Sequence, residues 1–178
     1  LVMRNRAVSA AMVFMAGNEE IRSEVILGLG SNMGDRMGYL SYSLNQLRKE
    51  AGDLLIVSSV WETEPWGFEA ERLFLNMAVV LSTKHEPESL LGVISMIEQQ
   101  LGRQRGKTQG YQSRVIDIDI LLWGERVISI PGLQVPHPRI ALRRFVLEPL
   151  CEIAPEAIHP VSHMTMKELL ALCDDRSV

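Results

Sequence analysis

One stretch constrains this chain more than any other: Arg114-Val115-Ile116-Asp117-Ile118-Asp119-Ile120-Leu121-Leu122. β-Branched and aliphatic side chains alternate with charged ones at a period of two, the pattern of a β-strand. Successive side chains of a strand point to opposite faces. Asp117 and Asp119 therefore share one face, while Ile116, Ile118, Ile120 and Leu122 share the other. The aliphatic row requires a core behind it. The carboxylates in front repel each other, and a cation, usually a metal, relieves that repulsion. Two other readings stand beside this one: a sheet edge facing water, or ion pairs with Arg103 or Arg114.

The segment running into this strand is the densest basic stretch of the chain, with Arg103, Arg105 and Lys107, then Tyr111 and Arg114. Guanidinium groups match phosphate oxygens in bidentate fashion. The stretch reads as a phosphate clamp or as a solvated basic loop. Overall charge runs the other way: 18 Lys and Arg against 22 Asp and Glu leave a net charge of -4. That argues against a broad basic surface for nucleic acid, though not against a local basic pocket.

The remaining elements follow from periodicity. Val25 to Gly30 is a short apolar strand. Its glycines, spaced G-x-G-x-x-x-G through Gly34, miss the dinucleotide fingerprint by one residue and serve as turn and close-approach positions. An amphipathic helix covers Asp35 to Glu50, with Tyr39, Leu40, Leu44 and Leu47 on one face, and Gly52 ends it. Leu54 to Trp61 is a second strand and Phe74 to Thr83 a third. Between them, Glu62-Thr63-Glu64-Pro65-Trp66-Gly67-Phe68 is a loop carrying two large aromatics, which suits either a lid over a flat ligand or packing on its own domain. Asn76 shares a face with Phe74, and a buried amide there needs partners from backbone or ligand. A second helix starts at Glu86-Pro87-Glu88, uses Leu90, Leu91, Ile94, Ile97 and Leu101 as its apolar face, and stops at Gly102. Beyond the Asp-x-Asp strand come a candidate edge strand at Val127 to Ile130 and a proline-bracketed loop, Val135-Pro136-His137-Pro138-Arg139. Short helices follow at Val146 to Ile153 and Thr165 to Cys173.

This order predicts an α+β fold: a ferredoxin-like βαββαβ antiparallel sheet with both main helices on one face and a C-terminal helical annex. The other face is then free for ligand, and Asp117, Asp119, Arg114, Tyr111, Asn76 and the 62–68 loop gather there. Residues 25–178 make a single domain, within the usual size range. Arg4 and Arg6 followed by the apolar run Ala7 to Ala16 imitate the start of a secretory signal, but residues 1–24 read best as a non-functional extension. No apolar stretch has the length of a membrane span. Cys151 and Cys173 have neither metal-ligand nor disulfide-framework spacing, so a cytoplasmic location is the simplest expectation.

Carboxylates, arginines and a histidine over an open sheet suit phosphoryl-type transfer, in which positioning and charge stabilisation do most of the work. Gly28-Leu29-Gly30-Ser31-Asn32, Phe74-Leu75-Asn76, Glu98 with Gly102-Arg103, the Arg114 to Leu121 stretch, and Val135-Pro136-His137-Pro138-Arg139 leading to Arg143 and Phe145 occur in an order that resembles the 6-hydroxymethyl-7,8-dihydropterin pyrophosphokinase family. The resemblance covers about Val25 to Pro160. It implies transfer of the β,γ-diphosphate of ATP to the pterin hydroxymethyl oxygen, with release of AMP, in folate biosynthesis. It also implies Asp117 and Asp119 as ligands of two Mg²⁺ ions, with Arg103 and Arg114 joining them in catalysis. Glu98, Arg103, Arg105, Arg114, Ile120, His137 and Arg143 would serve ATP. Gly30, Thr63, Trp66, Phe74, Asn76, Tyr111 and Phe145 would form the pterin site, with Phe145 and Tyr111 sandwiching the ring. The implied partners are these two small substrates, without nucleic acid, membrane or an obligatory protein partner. The chain departs from the family pattern at Gln112-Ser113, where Gly-Pro is usual, and at Tyr111, Val115, Glu64 and Ala141-Leu142. The rival readings are another Asp-x-Asp, metal-dependent, nucleotide-using transferase and a ferredoxin-like nucleic-acid module. The second is disfavoured because the carboxylates repel a phosphate backbone.

Overall fold

The computed structural model describes residues 21–102, 113–176 and 178. The expectations for residues 1–20 and for Arg103, Arg105, Lys107, Tyr111 and Gln112 lie outside the described residues. In chain order the elements are β1 (Ser23–Ser31), α1 (Arg36–Glu50), β2 (Asp53–Val57), β3 (Trp61–Thr63), β4 (Phe74–Thr83), α2 (Pro87–Gln100), β5 (Asp117–Trp123), β6 (Ile128–Ile130), β7 (Leu133–Val135), α3 (Arg144–Ile153) and α4 (Met166–Leu172). Strands run antiparallel in the order β2-β4-β1-β5, and β3 also pairs with β4. β1 is thus central, hydrogen-bonded on both sides. It begins two residues before the expected Val25, because Ser23 and Glu24 already pair with Thr83 and Ser82.

Local chemistry sets the helix ends. The Asp35 carboxylate accepts from the Gly38 N–H at 3.0 Å and caps α1. Pro87 stands in the first turn of α2, where its missing N–H costs nothing. The apolar faces of α1 (Leu40, Leu47) and α2 (Leu90, Ile94, Ile97) share one core with Val25, Leu27 and Leu29 of β1 and with Met77, Val79 and Leu81 of β4. Both helices therefore cover the same face of the sheet.

The opposite face is not left open as expected. Ile26, Ala78 and Val80, the alternate residues of β1 and β4, pack with Ile140, Leu147, Leu150, Met166 and Leu169 in a second core. The C-terminal annex of α3 and α4 thus roofs one half of that face, and a cleft beside Asp117 and Asp119 remains. Thr165 and Glu168 cap α4 reciprocally, side chain to backbone in both directions.

Strand 5 departs from simple alternation. Leu27 pairs with Ile120, but Ile26 pairs with Leu122, so Leu121 is an extra residue, a β-bulge. The bulge changes the parity of everything after it. Ile116, Ile118 and Ile120 lie in the helix-side core as expected, and Trp123 joins them. Leu122, expected in that row, lies with Leu121 in the annex-side core.

The expected second strand, 54–61, is two strands with a break. Ser58 N–H donates to the Ala78 carbonyl, and Ser58 Oγ accepts from the Ala78 N–H, both at 2.9 Å. A side chain there replaces a ladder carbonyl, and pairing resumes at Trp61 opposite Asn76. The Val127 to Ile130 segment yields β6, which pairs with β7 in a separate two-stranded sheet rather than at the main edge. Among the described residues, no helix is long and apolar enough to cross a membrane.

If the annex is part of the cooperative unit, Leu147→Ala, a truncation at a position with 0% exposure, destabilises the whole domain by ~2–5 kcal/mol. Urea unfolding followed by both far-UV dichroism and tryptophan fluorescence then shows one earlier, coincident transition. Separate transitions would show that the annex is an independent layer.

Candidate active site

Three strands bring the site together. β1 lies between β4 and β5, and Gly30 stands opposite Asn76 on one side and Asp117 on the other. A Cβ on Gly30 would lie 2.7 Å from Asn76 Oδ1, so no larger residue fits without moving the amide. Asn76 is buried and donates from Nδ2 to Thr63 Oγ1 at 2.8 Å. That bond uses one amide hydrogen; a second hydrogen and the oxygen lone pairs suit a ligand edge rich in donors and acceptors.

These residues line a cavity of about 410 Å³, together with Trp66, Phe68, Phe74, Phe145 and the charged group Arg114, Asp117, Asp119, His137, Arg139 and Arg143. The aromatic loop is held from outside: Arg36 Nη1 donates to Glu62 Oε1 at 2.9 Å and to the Leu73 carbonyl at 2.8 Å. Phe68 and Phe74 meet edge to face with centroids 6.1 Å apart. The Arg143 guanidinium lies 5.1 Å from the Trp66 ring centroid and 5.7 Å from that of Phe145. Such geometry stabilises a cation among aromatics.

A second cavity of about 460 Å³ lies beside the first, lined by Leu91, Ile118, Ile120, Ser129 and Gln134 among others. Asp119 and His137 border both cavities. The two compartments meet at these side chains.

Electrostatics at the junction follow from crowding. Asp117 is ion-paired with Arg114. Asp119 is pushed from the usual carboxylate range up to about 7, first by desolvation and then by the neighbouring Asp117 charge. Burial, reinforced by the Arg143 charge, drives His137 down to about 4, so its ring is neutral at physiological pH. Arg139 N–H donates to His137 Nδ1 at 3.2 Å. The neutral ring then carries its hydrogen on Nε2, 3.9 Å from Asp119 Oδ2. Burial also lowers Arg143, against the pull of Asp119 and Asp117.

Of the site residues expected from sequence, Gly30, Thr63, Trp66, Phe74, Asn76, Arg114, Asp117, Asp119, His137, Arg143 and Phe145 line the first cavity. Ile120 lines the second. Glu98 lies in neither lining: at 1% exposure it accepts from the Ile118 N–H at 3.0 Å, beneath the strand that carries both aspartates. Sequence reasoning passed over Arg36, whose only signal is a cation one residue after a helix cap. It also gave no separate role to the bulge at Leu121, whose carbonyl accepts from the His137 N–H at 2.9 Å and holds the histidine loop.

Two carboxylates side by side, with the charge of one raising the pKa of the other, are a donor set suited to a hard divalent cation. Mg²⁺ is commonly held by one or two carboxylates plus substrate phosphates. No group of three or more potential metal-ligating side chains occurs among the described residues, so phosphate or water oxygens would have to complete the shell.

A cleft that pairs two carboxylates and flanking arginines with an aromatic, amide-bearing compartment is chemically suited to a polyanion beside a flat polar heterocycle. Residues 26–155 match the model of the 7,8-dihydro-6-hydroxymethylpterin-pyrophosphokinase (HPPK) family, and the chain belongs to that family. It is 44% identical over 138 residues to a 2-amino-4-hydroxy-6-hydroxymethyldihydropteridine pyrophosphokinase of Porphyromonas gingivalis, covering 76% of this chain and 93% of that one. It is 41% identical over 144 residues to the enzyme of that name from Aquifex aeolicus, covering 81% and 88%. The fold is similar to that of Plasmodium falciparum HPPK-DHPS with pteroate (TM-score 0.70, 19% identity), over 88% of this chain and 43% of that one.

The junction electrostatics have a consequence for stability. A carboxyl with a raised folded pKa binds its proton more tightly folded than unfolded. It therefore costs stability as pH rises from about 4 through about 7. Without divalent cations, Asp119→Asn should melt higher than the parent at pH 8. With the shift discounted for the 39% of the side chain open to solvent, the gain is roughly 2–4 °C, the effect of ~1 kcal/mol in a domain of this size. At pH 3.5 the two melting temperatures converge. Calorimetry across that range checks the sign.

Proposed function

We propose that the chain transfers the β,γ-diphosphate of ATP to the hydroxymethyl oxygen of 6-hydroxymethyl-7,8-dihydropterin, releasing AMP, with Mg²⁺ as the required ion. Family membership and the names of the relatives support the reaction and its place in folate biosynthesis. The observation that carries the assignment to this site is the pair of cavities meeting at Asp119 and His137. A reaction joining a heterocyclic alcohol to a nucleotide phosphate needs two compartments with a shared charged boundary. The strand order, with α1 and α2 on one face, supports reading the fold as ferredoxin-like.

The pterin takes the first cavity. Asn76, fixed by Thr63, reads its amide-like edge, and Gly30 lets the amide approach. Phe74, Trp66 and Phe145 supply apolar faces, and the Arg143 guanidinium gives way to the incoming ring or moves to a phosphate. ATP takes the second cavity with Ile120 and Gln134 against its base, so that its phosphates reach the junction. There Arg114 and Arg143 balance the phosphate charge, and His137 donates from Nε2 as a neutral ring. Arg103, Arg105 and Tyr111, which lie outside the described residues, are assigned to the same two substrates by the family resemblance alone. Asp117 and Asp119 would hold Mg²⁺, which neutralises charge between the transferred and leaving groups when bound. Glu98 acts from below by fixing the backbone between the two aspartates. A cytoplasmic setting suits both substrates.

The reaction is tested by incubating the protein with ATP, Mg²⁺ and the hydroxymethyldihydropterin and resolving the nucleotides. AMP should form only when the pterin is present; ADP as the product would refute the assignment. Asp117→Ala and Asp119→Ala should each lower turnover by about a hundred- to a thousandfold, the range seen when a principal electrostatic group is removed, with folded spectra. Near-normal turnover in either variant would remove the metal role. Asn76→Ala should instead raise the pterin KM by roughly tenfold or more, the cost of unpairing a polar substrate edge.

A further inference from the structure

The site is built on two segments with no strand pairing to each other: the aromatic loop before β4 and the approach to β5. One buried side chain joins them. Asn32, just past the end of β1 and 1% exposed, donates its backbone N–H to the Arg114 carbonyl at 3.0 Å and accepts from the Arg114 N–H through Oδ1 at 2.6 Å. Its Nδ2 donates to Ser113 Oγ at 3.0 Å and reaches the Arg72 carbonyl at 3.5 Å. An amide side chain has one acceptor and two donated hydrogens. Here both kinds are committed, and all four contacts fall on the two segments that flank the site.

The consequence reaches the charged centre through one residue. The backbone of Arg114 is gripped in both directions by Asn32, and its side chain is ion-paired with Asp117. Arg114 lies outside β5, which begins at Asp117, so ladder hydrogen bonds do not fix it. We propose that Asn32 is a positioning residue for Arg114, and that the Ser113 hydroxyl, an exposed group outside both cavity linings, is the pin that keeps the Asn32 amide in the required orientation. This rests on the diphosphate-transfer reading for its meaning, because Arg114 is placed there at the nucleotide phosphates.

Two features make Ser113 informative. It is exposed, so its removal does not open a cavity. It is also a side-chain partner of the Asn32 amide, whereas the Arg72 and Arg114 groups that meet this amide are backbone, so it can be removed without touching them. Without it the amide can turn over, exchanging Oδ1 for Nδ2 and setting a donor against the Arg114 N–H.

The test is a double-mutant cycle on the full chain. Mg·ATP affinity is read by calorimetry without pterin, and AMP formation with it. Ser113→Ala should raise the Mg·ATP dissociation constant roughly three- to tenfold, the range for loss of one neutral hydrogen bond, with an unchanged melting temperature. Ser113→Thr, which keeps the hydroxyl, should restore parental affinity. Asn32→Ala should weaken affinity further, and adding Ser113→Ala to it should cost nothing more, because the two act through one bond. Unchanged affinity in Ser113→Ala overturns the proposal. Additive losses, or a loss matched by a lowered melting temperature and not rescued by threonine, overturn it too. If the parent binds Mg·ATP but forms no AMP, the transfer reading fails while the cycle still decides the Asn32–Ser113 coupling.

Discussion

Asp117 and Asp119 repel each other, and the chain holds them side by side regardless. Strand geometry gives them no escape: alternate residues of one strand share a face, and β5 is tied to the central strand on its other edge. Much of the surrounding structure answers that repulsion. Arg114 pairs with one carboxylate, Asp119 takes its proton more readily than a free carboxyl, and Arg143 attracts both. Such a pair of carboxylates favours a multivalent cation, alone or with a polyanion, because the cation relieves their repulsion.

Anchoring such a strand requires work from the side away from substrate. The buried Glu98 carboxylate accepts from the amide between the two aspartates. That bond fixes the peptide between the two aspartates from the side away from the cleft. Ile118 and Ile120 of β5, with Ile116 just before it, press that strand into the core of α1 and α2. Chemistry and packing are thus separated by a single peptide thickness.

Much of this was readable in the chain. The alternation from Val115 to Ile120 placed the aspartates on the ligand side and the isoleucines on the helix side, and both placements hold. The helices were legible because Asp35, Pro87 and Thr165 announce their starts by local chemistry. What escaped depends on partners distant in sequence. Nothing in Leu121 signals a bulge, since only registration against β1 defines one. Nothing in the Ser58-Ser59-Val60 run separates a broken strand from a whole one until Ser58 Oγ is seen to meet the Ala78 N–H. The roofing of half the open face was equally hidden, because α3 and α4 reveal an apolar stripe but not the surface it covers. The amide contacts of Asn32 fall in the same class: its presence beside Gly30 was plain, its grip on residues 113 and 114 was not.

The bulge at Leu121 carries a lesson about length. Most strands commit each residue to an inside or an outside for their whole course. This one serves the helix-side core up to Ile120, spends one residue on the turn of parity, and then sends Leu122 to the annex and Trp123 back to the helices. The same spare residue offers its carbonyl to the histidine loop. Side chains between Asp119 and Trp123 are therefore exchangeable for others of like volume, but their number is not. Removing or adding one residue there would swap the allegiance of two cores and let go of His137 in a single step. The constraint falls on the number of residues in the segment before it falls on their identity.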